Sequence, residues 1–191
     1  TSLFEFSKDR DTIRPAVQDI GDTVERAIRM TSARQEFRRI TIKHHHLGLA
    51  MGWFDSNRLE RAVANLVLNA CEAVSADSGL IVITTTGNQD YLQIGVWDNG
   101  PGIPPEIQES VFQPFVSYGK PEGSGLGLAI VKKIVEDHGG EIYVDGRGGT
   151  GTLFKITIPF AIPLGAIPQT STVPIHPTRT EGSMACSIQT P

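Results

Sequence analysis

Two asparagines one helical turn apart are the first residues in this sequence that ask for a chemical reason. The stretch "SNRLERAVANLVLNACEAV" has Leu59, Val63, Leu66, Ala70 and Val74 at the spacing of one helix face, with Val67 beside them. Asn65, Asn69 and Glu72 follow at i, i+4 and i+7 on another. Asparagine is a poor helix-interior residue because its amide competes for backbone hydrogen bonds; glutamate, lysine or glutamine is the usual choice for a solvated face. Two amide oxygens on one line suit a hard divalent cation whose shell is completed by phosphates and water. A polar face that merely contains asparagine is the plain alternative.

A second group is "VWDNGPGIP", residues 96–104. Leu92, Ile94, Val96 and Asp98 share one strand parity, so Asp98 points to the side of three core residues. A buried carboxylate needs a donor. The exocyclic amine of a purine would serve, with Gly100 and Gly102 letting the backbone approach a flat ring. The same residues also read as an Asp-Asn-Gly turn closing a strand. The third group is "EGSGLGLAIVKK", residues 122–133, where Gly123, Gly125 and Gly127 lead into a helix with one apolar face. A helix N-terminus has unpaired amide donors and a partial positive charge, and so attracts phosphate. The spacing fits neither a Walker A loop nor a dinucleotide fingerprint, because Leu128 and Ala129 follow Gly127 and the loop comes late in the chain. A purely structural helix entry is the competing reading.

The elements that must position these groups can be read around them. Residues 1–14 read as the end of an incoming helix and a linker, stopped by Pro15. "DTVERAIRMTSARQEF" reads as a helix capped by Asp22, with Val24, Ala27, Ile28 and either Met30 or Thr31 inward. "RRITIKHHHLGLAMGWF" reads as one strand, or two short ones around Gly48. A long helix is expected from about Ser56 to Ser75. "LIVITTTG" and "YLQIGVWD" are expected as strands joined through Gly87, Asn88 and Asp90, a short helix within residues 98–115, and closing strands at "EIYVDG" and "GTLFKITIPF". His44, His45 and His46 are expected as exposed strand residues. His138 is expected as a partly cationic helix end suited to the dipole, before a glycine cap. Trp53, Trp97 and Cys71 read as packing. Strands cluster and helices come in runs, which predicts an α/β two-layer sandwich: a mixed sheet with helices on one face. From Ala161 the chain is rich in proline, serine and threonine and reads as a flexible tail, residues 161–191.

A net charge of −4 over 191 residues supplies no basic field for nucleic acid. Cys71 and Cys186 suggest neither a metal pair nor a disulfide framework, which fits a reducing cytosol. No apolar run approaches a membrane span, and the chain opens on Thr1 without methionine, so an upstream anchor stays open.

In this order, the polar helix, the acidic glycine turn, "VFQPF" and the "GSGLGLAIVKKIVEDHGG" loop closely resemble the N, G1, F and G2 boxes of the ATP-binding catalytic domain of sensor histidine kinases. That domain belongs to the superfamily of gyrase, chaperone, histidine kinase and mismatch-repair ATPases. The resemblance spans roughly residues 15–160, including "GGTGTLFKITIP". It implies a Bergerat-type fold that binds ATP and Mg²⁺ under a lid. By position, Asp98 would hold the adenine amine, with Gly100, Gly102 and Ile103 shaping that pocket. Asn69 would ligate the metal and Asn65 would support metal or phosphates. Phe112 and Phe115 would anchor a lid, "VSYGKPEG", from which Lys120 could reach the phosphates; Ser124, Gly125, Leu126, Gly127 and Leu128 would wrap them. Asn65, Asn69 and Lys120 would be the catalytic set.

The hydrolytic branches usually place a water-activating glutamate four residues before the metal asparagine, where this chain has Asn65. The resemblance therefore implies a kinase rather than a hydrolase, a protein-histidine phosphotransferase. Its acceptor histidine would sit on a dimerisation hairpin not carried here, whose end "LFEFSK" resembles. Its further partner would be the receiver domain of a response regulator, in a full-length homodimer in the cytoplasm or on the cytoplasmic side of a membrane-anchored sensor. A nucleotide-dependent regulatory module and an anti-sigma-factor type serine kinase are the alternatives.

Overall fold

The computed structural model describes residues 13–48, 51–88, 90–116, 125–146 and 151–159. Within them a five-stranded mixed sheet lies under three helices. Its strands are β2 (Thr41–Gly48), β4 (Leu80–Gly87), β5 (Tyr91–Asp98), β6 (Glu141–Gly146) and β7 (Thr152–Pro159), in the order β2-β4-β5-β7-β6. Only the β2–β4 pair is parallel. The remaining strands, β1 (Ala16–Asp19) and β3 (Met51–Phe54), form a separate antiparallel pair.

The helices are α1 (Ile20–Ser32), α2 (Ser56–Ala73), the single turn α3 (Pro105–Gln108) and α4 (Gly127–Asp137). Helix α2 packs against α1, α4 and β5. Its stripe of Leu59, Ala62, Val63, Leu66, Val67 and Ala70 is buried on the sheet's Ile81, Ile83, Ile94, Val96 and Ile156. Each of its leucines and valines contributes about 1.5–3 kcal/mol on full burial, which makes α2 the fixed reference for anything mounted on it.

The boundaries differ from the sequence reading in instructive places. Helix α1 starts at Ile20 and is capped by Asp19, whose carboxylate accepts from the Gly21 and Asp22 amides; Asp22 is in the first turn and is not the cap. Thr31 rather than Met30 faces inward: its hydroxyl bonds the Ala27 carbonyl, while Met30 is 63% exposed. The stretch around Gly48 is two strands in two different sheets. Helix α2 ends at Ala73 rather than Ser75. Of the expected helix end and linker at residues 1–14, residues 1–12 lie outside the described residues, as do 117–123 of the lid and the tail at 161–191.

The histidine strand also departs from expectation. His44 lies under α1 with its side chain only 9% exposed, its Nδ1 2.7 Å from Glu25 and its Nε2 3.0 Å from the hydroxyl of fully buried Thr85. His46 Nδ1 meets the same hydroxyl at 2.6 Å. One arrangement satisfies all three contacts: His46 donates to Thr85, Thr85 donates to His44 Nε2, and His44 Nδ1–H donates to Glu25. Parity puts His44 and His46 on the same side of the strand, but only His44 is half-buried; His45 and His46 are exposed as expected. Among the described residues no group of three His, Cys, Asp or Glu side chains could hold a metal.

Candidate functional site

Asp98 ends the central strand β5, between Ile81 of β4 and Thr152 of β7, and is 2% exposed. Its Oδ1 accepts the Gly100 amide at 2.8 Å, an Asx turn that fixes the carboxylate's rotation. Asn99 carries the structural half of this turn: its side chain accepts from the Leu80 amide and donates to the Ser78 carbonyl. A Cβ on Gly100 would sit 2.7 Å from Asp98 Oδ1 and 3.1 Å from the Ala73 carbonyl, so only glycine fits between the carboxylate and the end of α2. Gly102 adopts φ +80, and Ile103 packs its backbone against Gly146 at the end of β6.

Asn65 and Asn69 are half-buried on α2, while Glu72 is exposed. Beside Asn65 is the start of α4, which begins at Gly127 as the glycine spacing predicts. The position a Cβ would take on Gly127 lies 3.7 Å from Asn65 Oδ1, so the glycine keeps a gap between the asparagine and the first amides of α4. Leu126 occupies the cap position without a side-chain cap, and Leu128 is half-buried. The end of α2 thus packs on the Asp98 turn at Gly100, and Asn65 on the same helix lies beside the positive end of α4. A groove of about 480 Å³ between α1, α2 and α4 reaches Asn65 but not Asp98; Met30, Arg34, Arg61 and Ile130 are among its walls.

The chain enters the glycine loop through a paired junction. Phe115 and Gly125 both adopt positive φ, +66 and +64, and the Phe115 amide donates to the Gly125 carbonyl. Of the two phenylalanines expected to anchor the lid, Phe112 packs edge-on to Phe154 with centroids 6.2 Å apart. Phe115 differs: its ring is 79% exposed because the left-handed backbone turns it outward, and its tie to the loop is the main chain. Lys120 and Ser124 lie outside the described residues.

A second cluster at the far end of the same two helices went unread in the sequence. Asp55 caps α2 through the Arg58 amide, and its other oxygen accepts the Arg14 amide of the entry segment. Its own amide donates to His138 Nε2 at 3.0 Å, while His138 Nδ1 donates to the Ile134 carbonyl at 2.7 Å. These partners require one donor and one acceptor on the ring, so the neutral tautomer replaces the partly cationic helix end expected. Gly139 at φ +69 supplies the expected left-handed cap. The Asp-before-helix signal at Asp55 was available locally.

Arg58 meets Asp137 at 2.7 Å, and Lys133 also binds that carboxylate. Burial alone would push the Asp137 carboxyl up, but the hydrogen bonds from Lys133 and Arg58 outweigh it and hold it below its ordinary value. A depressed folded value means the stabilisation is complete above the unfolded aspartate range near pH 4 and is lost as pH falls through the folded value. Native stability is therefore expected to fall more steeply than that of Asp137→Asn between about pH 4 and pH 2. Urea unfolding of both across that range checks this; parallel pH profiles would remove the ion pair's role. Cys71, by contrast, is buried and its thiol is pushed up to about 11 by burial first and Glu72 second, so it packs rather than reacts. Trp53 and Trp97 are half-buried.

Comparison with known proteins agrees with this geometry. Residues 54–162 match the family described as histidine kinase-, DNA gyrase B- and HSP90-like ATPase. The chain is 35% identical over 156 residues to the sensory histidine kinase/phosphatase NtrB of Rhodobacter capsulatus, covering 75% of this chain and 43% of that protein. It therefore spans less than half the length of that curated relative. The catalytic domain of the histidine kinase ThkA superposes with a TM-score of 0.66 at 30% identity, covering 77% of this chain and 96% of that one. ThkA in complex with the response regulator protein TrrA gives 0.68 at 27%, covering 83% and 45%. With its buried acidic turn, its asparagine helix and its glycine-led helix in the matched segment, the chain belongs to the histidine kinase-, gyrase- and HSP90-like ATPase family, and its fold is that of a histidine kinase ATP-binding catalytic domain.

Proposed function

We propose that residues 15–160 form the catalytic domain of a sensor histidine kinase that binds ATP with Mg²⁺ and passes the γ-phosphoryl group to a histidine on an adjoining dimerisation domain. The observation that carries this reading is the buried Asp98 at the end of the central strand, whose turn packs on the end of the helix bearing half-buried Asn65 and Asn69, with the start of α4 beside Asn65. Asp98 receives the adenine amine, and Gly100 and Gly102 let the ring lie against the backbone. The amides from Ser124 to Leu128 receive phosphate oxygens, with Lys120 completing that shell from the lid.

The donor set fits the metal. Asn69, supported by Asn65, offers neutral amide oxygens to a hard cation already bound to phosphate, and Gly127 leaves room beside them. Mg²⁺ when bound neutralises charge on the phosphates. Asn65 cannot take a proton from water, so the site lacks a hydrolytic base at that position and preserves the phosphoryl group for an acceptor. The acceptor histidine and the homodimer belong to the longer protein, and the receiver domain of a response regulator is its further partner. A cytoplasmic setting follows from the need for ATP, and among the described residues no helix is long and apolar enough to cross a membrane.

The test mixes this chain with the histidine-bearing hairpin of its full-length protein and labelled ATP. Native chain is expected to label the histidine, and Asn69→Ala to lower the rate by about 10²-fold or more while adenosine affinity stays within about twofold. Full activity in Asn69→Ala would remove the metal assignment. Binding of ATP without labelling would favour the regulatory module.

A further inference from the structure

The two helices that carry the site run past each other in opposite directions. The start of α2 meets the end of α4 through Asp55–His138 and Arg58–Asp137, and further along Asn65 meets Gly127. We propose that His138 is a positioning residue for the nucleotide's phosphates: by bonding the Asp55 amide, it sets how far α4 slides along α2 and so where the glycine-loop amides stand relative to Asn65 and Asn69. This rests on the nucleotide reading above and adds a part to it.

The bond is directional at both ends. His138 Nδ1 donates to Ile134, one turn back in its own helix, and that fixes the ring's rotation; Nε2 then has a single lone pair aimed at the Asp55 amide. The chain beyond is turned away by a two-bond glycine cap, the Gly140 amide on the Val135 carbonyl and the Gly139 amide on the Glu136 carbonyl. A Cβ on Gly140 would meet the Thr157 carbonyl at 2.4 Å, so this cap is itself pressed onto β7. Asp55 is equally constrained, because its carboxylate holds both the first turn of α2 and the Arg14 amide. The latch therefore joins three backbone segments: entry chain, asparagine helix and phosphate-loop helix. The Arg58–Asp137 pair beside it uses a long side chain and leaves more latitude.

Helix α4 transmits any slip undiminished. A rigid helix moves as a rod, and a shift of one residue carries its N-terminal amides about 1.5 Å. Misplacement of about 1 Å at a reacting group costs roughly 10²-fold. Asp98 sits on β5, outside this linkage, so the adenine end should not feel it.

Calorimetric titration of the 191-residue chain with Mg·ATP and with adenosine separates the possibilities. His138→Ala is expected to weaken ATP about tenfold or more and to leave adenosine within about twofold. His138→Gln, whose amide can donate to Ile134 and accept from Asp55, should recover ATP affinity to within about threefold of native. If His138→Ala is unfolded at the working temperature, His138→Asn, too short to reach both partners, takes its place with the same expectation. Unchanged ATP affinity in a variant with a lowered melting temperature would overturn the proposal, leaving His138 a stability residue only. So would equal losses for ATP and adenosine, or a glutamine variant as weak as alanine. A native chain that binds no ATP would overturn the nucleotide reading itself and this inference with it.

Discussion

Asp98→Asn is expected to lose affinity for ATP, ADP and adenosine alike, by about 10²-fold or more, without unfolding the chain. Asparagine has the same shape, and its carbonyl oxygen can still accept the Gly100 amide that Asp98 Oδ1 holds at 2.8 Å. What changes is the other end of the group. There a carboxylate oxygen becomes an NH₂ donor, and a purine amine approaching it would meet donor against donor. A hydrogen bond to a charged acceptor contributes about 1.5–3 kcal/mol, and an unpaired buried donor costs about 1–3 more. Together these come to about 2.5–6 kcal/mol, a range that begins near the roughly 2.7 kcal/mol of a hundredfold change in affinity. Titration with the three ligands gives the answer directly. Equal affinities in native and mutant would end the adenine assignment. A loss confined to ATP and ADP would instead move Asp98 to the phosphates.

That this experiment could be designed from residue types reflects which parts of the site have local signatures. The parity that buries Asp98, the turn between Asn65 and Asn69 and the glycine entry of α4 are all properties of contiguous sequence. So are the strands β4 to β7, whose alternation is regular. Strand β1 was missed because Ala16–Asp19 has no pattern of its own and is a strand only through pairing with Met51–Phe54. Asp19, the last residue of that strand, is not recognisable as a cap because the helical pattern is legible only from Asp22. His44 was misjudged because edge-strand exposure is decided by what lies across it, here α1 and Glu25. The His138–Asp55 bond joins residues far apart in the chain, and no periodicity carries such a contact.

Gly151 belongs to this second class, and Gly151→Ala is expected to cost more than about 3 kcal/mol of stability and most of the nucleotide affinity. The residue adopts φ +89 just before β7, and a Cβ there would lie 1.9 Å from the Asp98 carbonyl oxygen and 3.2 Å from Trp97 Nε1. Left-handed backbone costs a non-glycine residue about 1–2 kcal/mol, and overpacking adds typically 1–3. At 1.9 Å from a main-chain oxygen neither partner can yield by rotating a side chain, so the end of β5 must shift. The atom displaced belongs to the residue whose carboxylate defines the adenine pocket. Stability and binding should therefore fall together. Gly48→Ala supplies the control: φ +87 imposes the same left-handed backbone, with a milder clash 2.8 Å from the Gly87 carbonyl, at the opposite end of the sheet. Urea unfolding and ATP titration of both variants should show stability lost in each and nucleotide affinity lost only at Gly151. Native affinity in folded Gly151→Ala would mean that the end of β5 yields without moving the Asp98 carboxylate, and that the pocket tolerates a displaced main chain.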